Sequence, residues 1–136
     1  MAEPVAALLR RSLGHLAREV PASYRHLLAE LGALVVEVHV DGEVFSVRGG
    51  PELAVTDGAP ADAGARITTS RRAVLDVLDV GLPLGEAVAT GRVDVRGSLD
   101  DVLRAHDALL AYAHGAVRAP SVPGLLDGLR GDGGSR

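Results

Sequence analysis

The stretch VEVHVDGEVFSV, Val36 to Val47, sets the architecture. Val36, Val38 and Val40 alternate with Glu37, His39 and Asp41, which is the period of two expected of a half-buried strand. Asp41-Gly42 follows, a pair suited to the type I′ turn because that turn needs positive φ at both central residues. A two-residue turn sets Val40 opposite Glu43, Val38 opposite Phe45 and Val36 opposite Val47, so the apolar faces of the two strands coincide. The spacing predicts a β-hairpin.

Upstream the period is helical. Val5, Leu8, Leu9, Ser12, Leu13, Leu16 and Val20 form one stripe at i, i+3, i+4 spacing from Pro4 to Val20. Pro21 ends that helix and suits the first turn of a second one, whose stripe is Tyr24, Leu27, Leu28 and Leu31, with Gly32 placed to close it. Downstream, Leu53 and Val55 suggest a third strand, and Asp57 to Gly64 is a Gly, Pro, Ala and Asp loop. Arg66 to Thr69 reads as a fourth strand. Ser70 then caps a helix carrying Val74, Leu75, Val77 and Leu78, stopped by Gly81 and Pro83. A helical turn from Leu84 to Ala89 precedes a fifth strand, Arg92 to Arg96, with Val93 and Val95 facing inward. Ser98 opens the last long helix, whose expected buried face is Leu99, Val102, Leu103, His106, Leu109, Leu110, Ala113 and Val117. A short amphipathic segment, Val122 to Leu129, leads into a glycine-rich tail read as disordered.

The reading is one α+β domain over 1–136, a five-stranded, mostly antiparallel sheet with helices on one face and two N-terminal helices. Its parts are N-terminal helices (1–33), a sheet-and-helix core (34–118) and a C-terminal lid with a flexible tail (119–136).

Composition narrows the function. The chain contains no cysteine, which removes disulfides, thiolate metal sites and a cysteine nucleophile. All 14 basic residues are arginine, a high-GC codon signature, and the absence of lysine removes Schiff-base and P-loop chemistry. A net charge of −4 with interleaved arginines argues against nucleic acid as partner. Aromatic residues are only 2% of the chain, so base-stacking platforms are missing and the interior must be aliphatic. No apolar run reaches membrane-spanning length and the N-terminus does not read as a signal peptide, so a cytoplasmic protein is expected.

From Ala65 to Ala105 the pattern becomes that of a family. A Thr/Ser-bearing strand ARITTS leads into the helix RRAVLDVLDVG. The hinge GLPL follows, then a short helix ending ATG, the strand RVDVRG and the capped helix SLDDVLRA. Upstream stands the hairpin VHVDGEVFSVRGG. This order resembles the sterol-carrier-protein-2 (SCP2) domain, bacterial type, over roughly Leu34 to Val117. The resemblance implies a five-stranded sheet covered by helices, with an apolar tunnel between them for sterols, fatty acids or acyl-CoA, in a carrier or accessory protein. The helices here are poorer in aromatics, and the sequence ends in Gly-Ser-Arg rather than a peroxisomal signal. The tunnel walls would be Val38, Phe45, Val47, Ile67 and Val93 from the strands. Leu78, Leu82, Leu84, Val88, Leu103, His106, Leu110 and Leu125 would complete them from helices and turns.

The polar candidates have ordinary roles beside functional ones. His15 and His39 read as solvated, and no histidine pair has the i, i+4 spacing of a zinc helix, so no metal or cofactor is expected. His106, on the expected apolar stripe, is either a core histidine bonded to a carbonyl or a head-group contact or acid/base. Ser70 and Ser98 sit where caps belong, and Asp100 and Asp101 where a helix dipole favours negative charge. Selectivity for a lipid would come from cavity shape and polar groups such as His106, Ser46 or Thr69.

Three functions remain open at this level. The first is enclosure of a hydrophobic small molecule or lipid, driven by roughly 25 cal/mol for each Å² of apolar surface buried. The second is a small tailoring or cyclising enzyme using the same cavity. The third is a dimerising interaction module without ligand, and a homodimer is compatible with all three.

Overall fold

The computed structural model describes residues 3–130. Helix α1 (Val5–Glu19) and helix α2 (Pro21–Leu31) precede strands β1 (Val35–Val40) and β2 (Glu43–Arg48). Strands β3 (Ala54–Asp57) and β4 (Ala65–Thr69) follow, then helix α3 (Arg71–Leu75), which opens into a π turn over Asp76–Val80. Helix α4 (Leu84–Ala89), strand β5 (Asp94–Gly97), helix α5 (Leu99–Ala116) and helix α6 (Val122–Arg130) complete the chain. The expected glycine-rich tail beyond position 130 lies outside the described residues.

The hairpin has the register that the alternation dictates: Val36 opposite Val47, Val38 opposite Phe45, Val40 opposite Glu43. Asp41 and Gly42 hold φ of 47° and 89°, the left-handed pair of a type I′ turn. The Asp41 carboxylate also accepts the backbone N–H of Arg71 at 2.8 Å, tying the turn to the start of α3. The strand order is β3-β2-β1-β4-β5. All neighbouring strands run antiparallel except β1 and β4, which are parallel. The fold is therefore α+β with a five-stranded, mostly antiparallel sheet, as expected.

Pleating sends Val36, Val38, Val40, Phe45, Val47 and Ile67 to the helix side of the sheet and Glu37, His39, Ser46, Arg66 and Thr68 to the other. On that second face Glu37 bonds the His39 ring at 2.5 Å and the Arg66 guanidinium at 3.0 Å. His39 is thus paired across its own strand rather than simply solvated.

Ser70 and Ser98 act as caps, accepting the N–H of Ala73 at 3.0 Å and of Asp101 at 3.2 Å. β5 begins later than its sequence pattern suggests, because the N–H groups of Arg92 and Val93 both donate to the Ala87 carbonyl and finish α4 instead.

The face buried by α5 is only partly the expected one: Leu109 and Ala113 do face inward. Leu99, Leu103 and Val117 are 74%, 55% and 66% exposed, while Ala105, Ala108, Ala111, Gly115 and Ala116 are buried. The helix carries two opposed apolar stripes at a hundred degrees per residue, and close packing selects the smaller one. α5 runs antiparallel along α2: a Cβ on Gly115 would lie 3.1 Å from Ser23 Cβ, while the Arg104 guanidinium reaches the Glu30 carbonyl at 3.1 Å. A leucine row has no room at that separation. Leu103 and Leu110, expected to face the sheet, give way there to other residues of α5, while Leu78 keeps its expected place.

Candidate functional site

Between the sheet and the helices lies a cavity of about 210 Å³. Close-packed interiors hold few voids larger than a water molecule, so a space of this size is a feature of the fold rather than a packing flaw. It exceeds the ~150 Å³ void known to admit benzene and falls below the ~300–1,000 Å³ of drug-sized pockets.

The sheet contributes Val36, Val38 and Val40 of β1, Phe45 and Val47 of β2, Ile67 and Thr69 of β4, and Val93. Opposite them stand Leu8, Leu9, Ser12 and Leu13 of α1, and Ala105, Ala108, Leu109, Tyr112 and Ala113 of α5. Val74, Val77 and Leu78 close one side from α3 and its π turn, with Leu84 from α4. α6 adds Val122, Leu125, Leu126 and Leu129. None of these lining residues is an Asp, Glu, Arg or His.

Of the residues singled out in the sequence, Val38, Phe45, Val47, Ile67, Val93, Leu78, Leu84 and Leu125 meet at this cavity. Leu82, Val88, Leu103, His106 and Leu110 are not part of its lining. Leu103 is on the exposed stripe of α5, His106 is half-buried beside it, and Leu110 packs half-buried against the core without reaching the cavity. Leu82 and Val88 pack at the edge of the core. Ser46 leaves the site by parity: Phe45 and Val47 point inward, so Ser46 points to the other face, where its hydroxyl lies 3.5 Å from the Thr56 carbonyl. Thr69 does line the cavity.

Sequence reasoning missed the polar pair in this wall. Ser12 of α1 and Tyr112 of α5 bring their hydroxyl oxygens to 2.8 Å, joining helices a hundred residues apart in the chain. Burial pushes the Tyr112 phenol above its ordinary pKa, and the Ser12 hydrogen bond offsets part of that rise, so the ring stays neutral. The signal was a serine in the apolar stripe of α1. Its partner was hidden by the wrong choice of face on α5. Among the described residues no group of His, Asp and Glu is gathered as a metal site.

No family model and no curated protein matches the sequence. Solved structures do match the fold. "UbiJ-SCP2 Ubiquinone synthesis protein" aligns with 79% of this chain and 95% of its own at 20% identity and a TM-score of 0.58. The sterol carrier protein domain 2 of Helicoverpa armigera aligns with 79% of this chain and 89% of its own at 14% identity, TM-score 0.58. Palmitated SCP2L2 from Aedes aegypti aligns with 82% of this chain and 95% of its own at 18% identity, TM-score 0.51. The chain has the SCP2 fold. In this SCP2-like chain the cavity lies between sheet and helices, and among the described residues no helix is long and apolar enough to cross a membrane.

Proposed function

We propose that the protein binds a hydrophobic ligand in the cavity between sheet and helices, as a carrier or accessory protein. The observation that carries this reading is the void itself: some 210 Å³ walled almost entirely by apolar side chains with no charged residue in the lining. An empty space of this kind forfeits the dispersion contacts its walls would otherwise make, and an apolar guest restores them while leaving water. The shared fold supports the reading, since the proteins of Helicoverpa armigera and Aedes aegypti are described as a sterol carrier and as palmitated.

The wall offers a carrier more than a catalyst. Ser12 and Tyr112 do form a polar pair, but with no histidine or carboxylate beside them in the lining they have no base to move a proton. A solidly filled interior would have favoured a ligand-free interaction module, and the void speaks against it. In this reading α6 acts as the lid; its apolar face forms one wall, and Pro123 and Gly124 stand at its start.

The test is binding of N-phenyl-1-naphthylamine, a neutral apolar fluorophore, to gently purified protein, together with native mass spectrometry for co-purifying apolar molecules. Saturable fluorescence enhancement, with hydrogen exchange of α6 slowed on binding, is the expected outcome. Absence of both probe binding and any co-purified molecule would refute the reading, and unchanged exchange in α6 would make that helix a fixed wall.

A further inference from the structure

The hydrogen bonds already made in the cavity wall dictate what a ligand's polar end must be. The lining holds three side-chain hydroxyls, those of Ser12, Thr69 and Tyr112, and no ionised group. Each hydroxyl has one proton to give and lone pairs to receive. The Ser12 proton goes to the Leu9 carbonyl at 2.9 Å. In the 2.8 Å contact between Ser12 and Tyr112, tyrosine must then be the donor. The Thr69 proton is committed to the Arg92 carbonyl at 2.9 Å. Every hydroxyl proton in the wall is spent within the protein, and only oxygen lone pairs are left to face a guest.

We infer that the cavity selects an uncharged lipid bearing a hydrogen-bond donor, an alcohol or a phenol, whose O–H is received by Tyr112 Oη. The inference rests on the cavity being the ligand site and gives that site its chemical class. An ether or ester offers only acceptors, and would meet acceptors. A carboxylate fares worse: it needs donors or a cation, and its charge would lose water with neither in return. A neutral O–H surrenders its bond to water and regains one from Tyr112. This wall therefore discriminates against fatty-acid anions, a preference the shared fold does not impose, since a palmitated structure has the same fold.

The experiment uses the full-length protein near pH 8, with decan-1-ol, decyl methyl ether and decanoate competing against N-phenyl-1-naphthylamine. Decanol is expected to bind roughly five- to tenfold more tightly than the ether, the value of one net hydrogen bond. It should exceed decanoate by about a hundredfold or more, because the anion is desolvated without a partner. In Tyr112→Phe, with its fold checked by circular dichroism, the alcohol-to-ether ratio should fall to about one. Ser12→Ala supplies an independent arm: it frees the tyrosine proton for the guest, so the ether should gain on the alcohol. Equal binding of alcohol and ether by the unmodified protein overturns the inference, as does decanoate within about tenfold of decanol, and either result leaves the cavity standing as a ligand site. If the fluorophore itself does not bind, the cavity reading fails and the inference falls with it.

Discussion

Val38 sits at the centre of the sheet, paired with Phe45 on one side and Ile67 on the other, and its side chain faces the void. Enlarging it tests directly whether that void is the binding site. Val38→Phe should lower affinity for N-phenyl-1-naphthylamine by about tenfold or more, because the new ring takes the ligand's volume. Cavity filling commonly stabilises by about 0.5–2 kcal/mol, so the melting temperature should hold or rise. Full affinity in the variant would place the probe elsewhere. The inward direction of Val38, Phe45 and Val47 was legible from alternation and one turn. The same parity puts Ser46 on the opposite face, so alternation alone is enough to strike it from the polar candidates. Tyr112 could not be found that way, because its role depends on a serine on another helix.

At the level of elements, the hairpin and α5 show why one pattern was readable and another was not. The hairpin has a single apolar face per strand and a turn whose φ values admit few residues, so its register has one solution. α5 has two apolar faces, and periodicity cannot rank them. Its larger side chains, Leu99 and Leu103, remain exposed, while alanines and Gly115 pack against the N-terminal helices. Two substitutions measure this arrangement by chemical denaturation. Leu103→Ala on the exposed stripe should change stability by no more than about 0.5 kcal/mol. Ala111→Leu, on the buried stripe, should cost about 1–3 kcal/mol through overpacking. The opposite ranking would mean that the leucine stripe is the buried one in solution.

For the whole molecule, one carboxylate joins the first helix to the approach of the last. Glu19 at the end of α1 accepts the Ser121 N–H at 2.9 Å and also its hydroxyl, fixing the approach to α6. Those bonds hold the Glu19 carboxyl below its ordinary pKa. Glu37 is held low first by its hydrogen bond to His39 and then by Arg66, and Asp62 by Arg48. A depressed folded pKa means the unfolded chain binds protons first as pH falls. The stabilisation is therefore complete above the ordinary glutamate range, near ~4.3, and is lost as pH drops through the lower folded values. Thermal melts should show a fall in Tm between about pH 5 and pH 3, and Glu19→Gln should flatten part of it. An equally steep fall in that variant would remove Glu19 from the account.

Short windows of sequence were enough for the hairpin and its register, the two serine caps, the breaks at Gly32 and Gly81, and an interior of aliphatic side chains. These follow from local geometry, from which residues tolerate positive φ and which faces can leave water together. Tertiary packing was needed to establish which stripe of α5 is buried, that a void of about 210 Å³ remains between the layers, and that Ser12 and Tyr112 meet in its wall. Those outcomes depend on how closely whole helices approach one another. That separation is set by the combined size of side chains from distant segments, and no single window of sequence contains it.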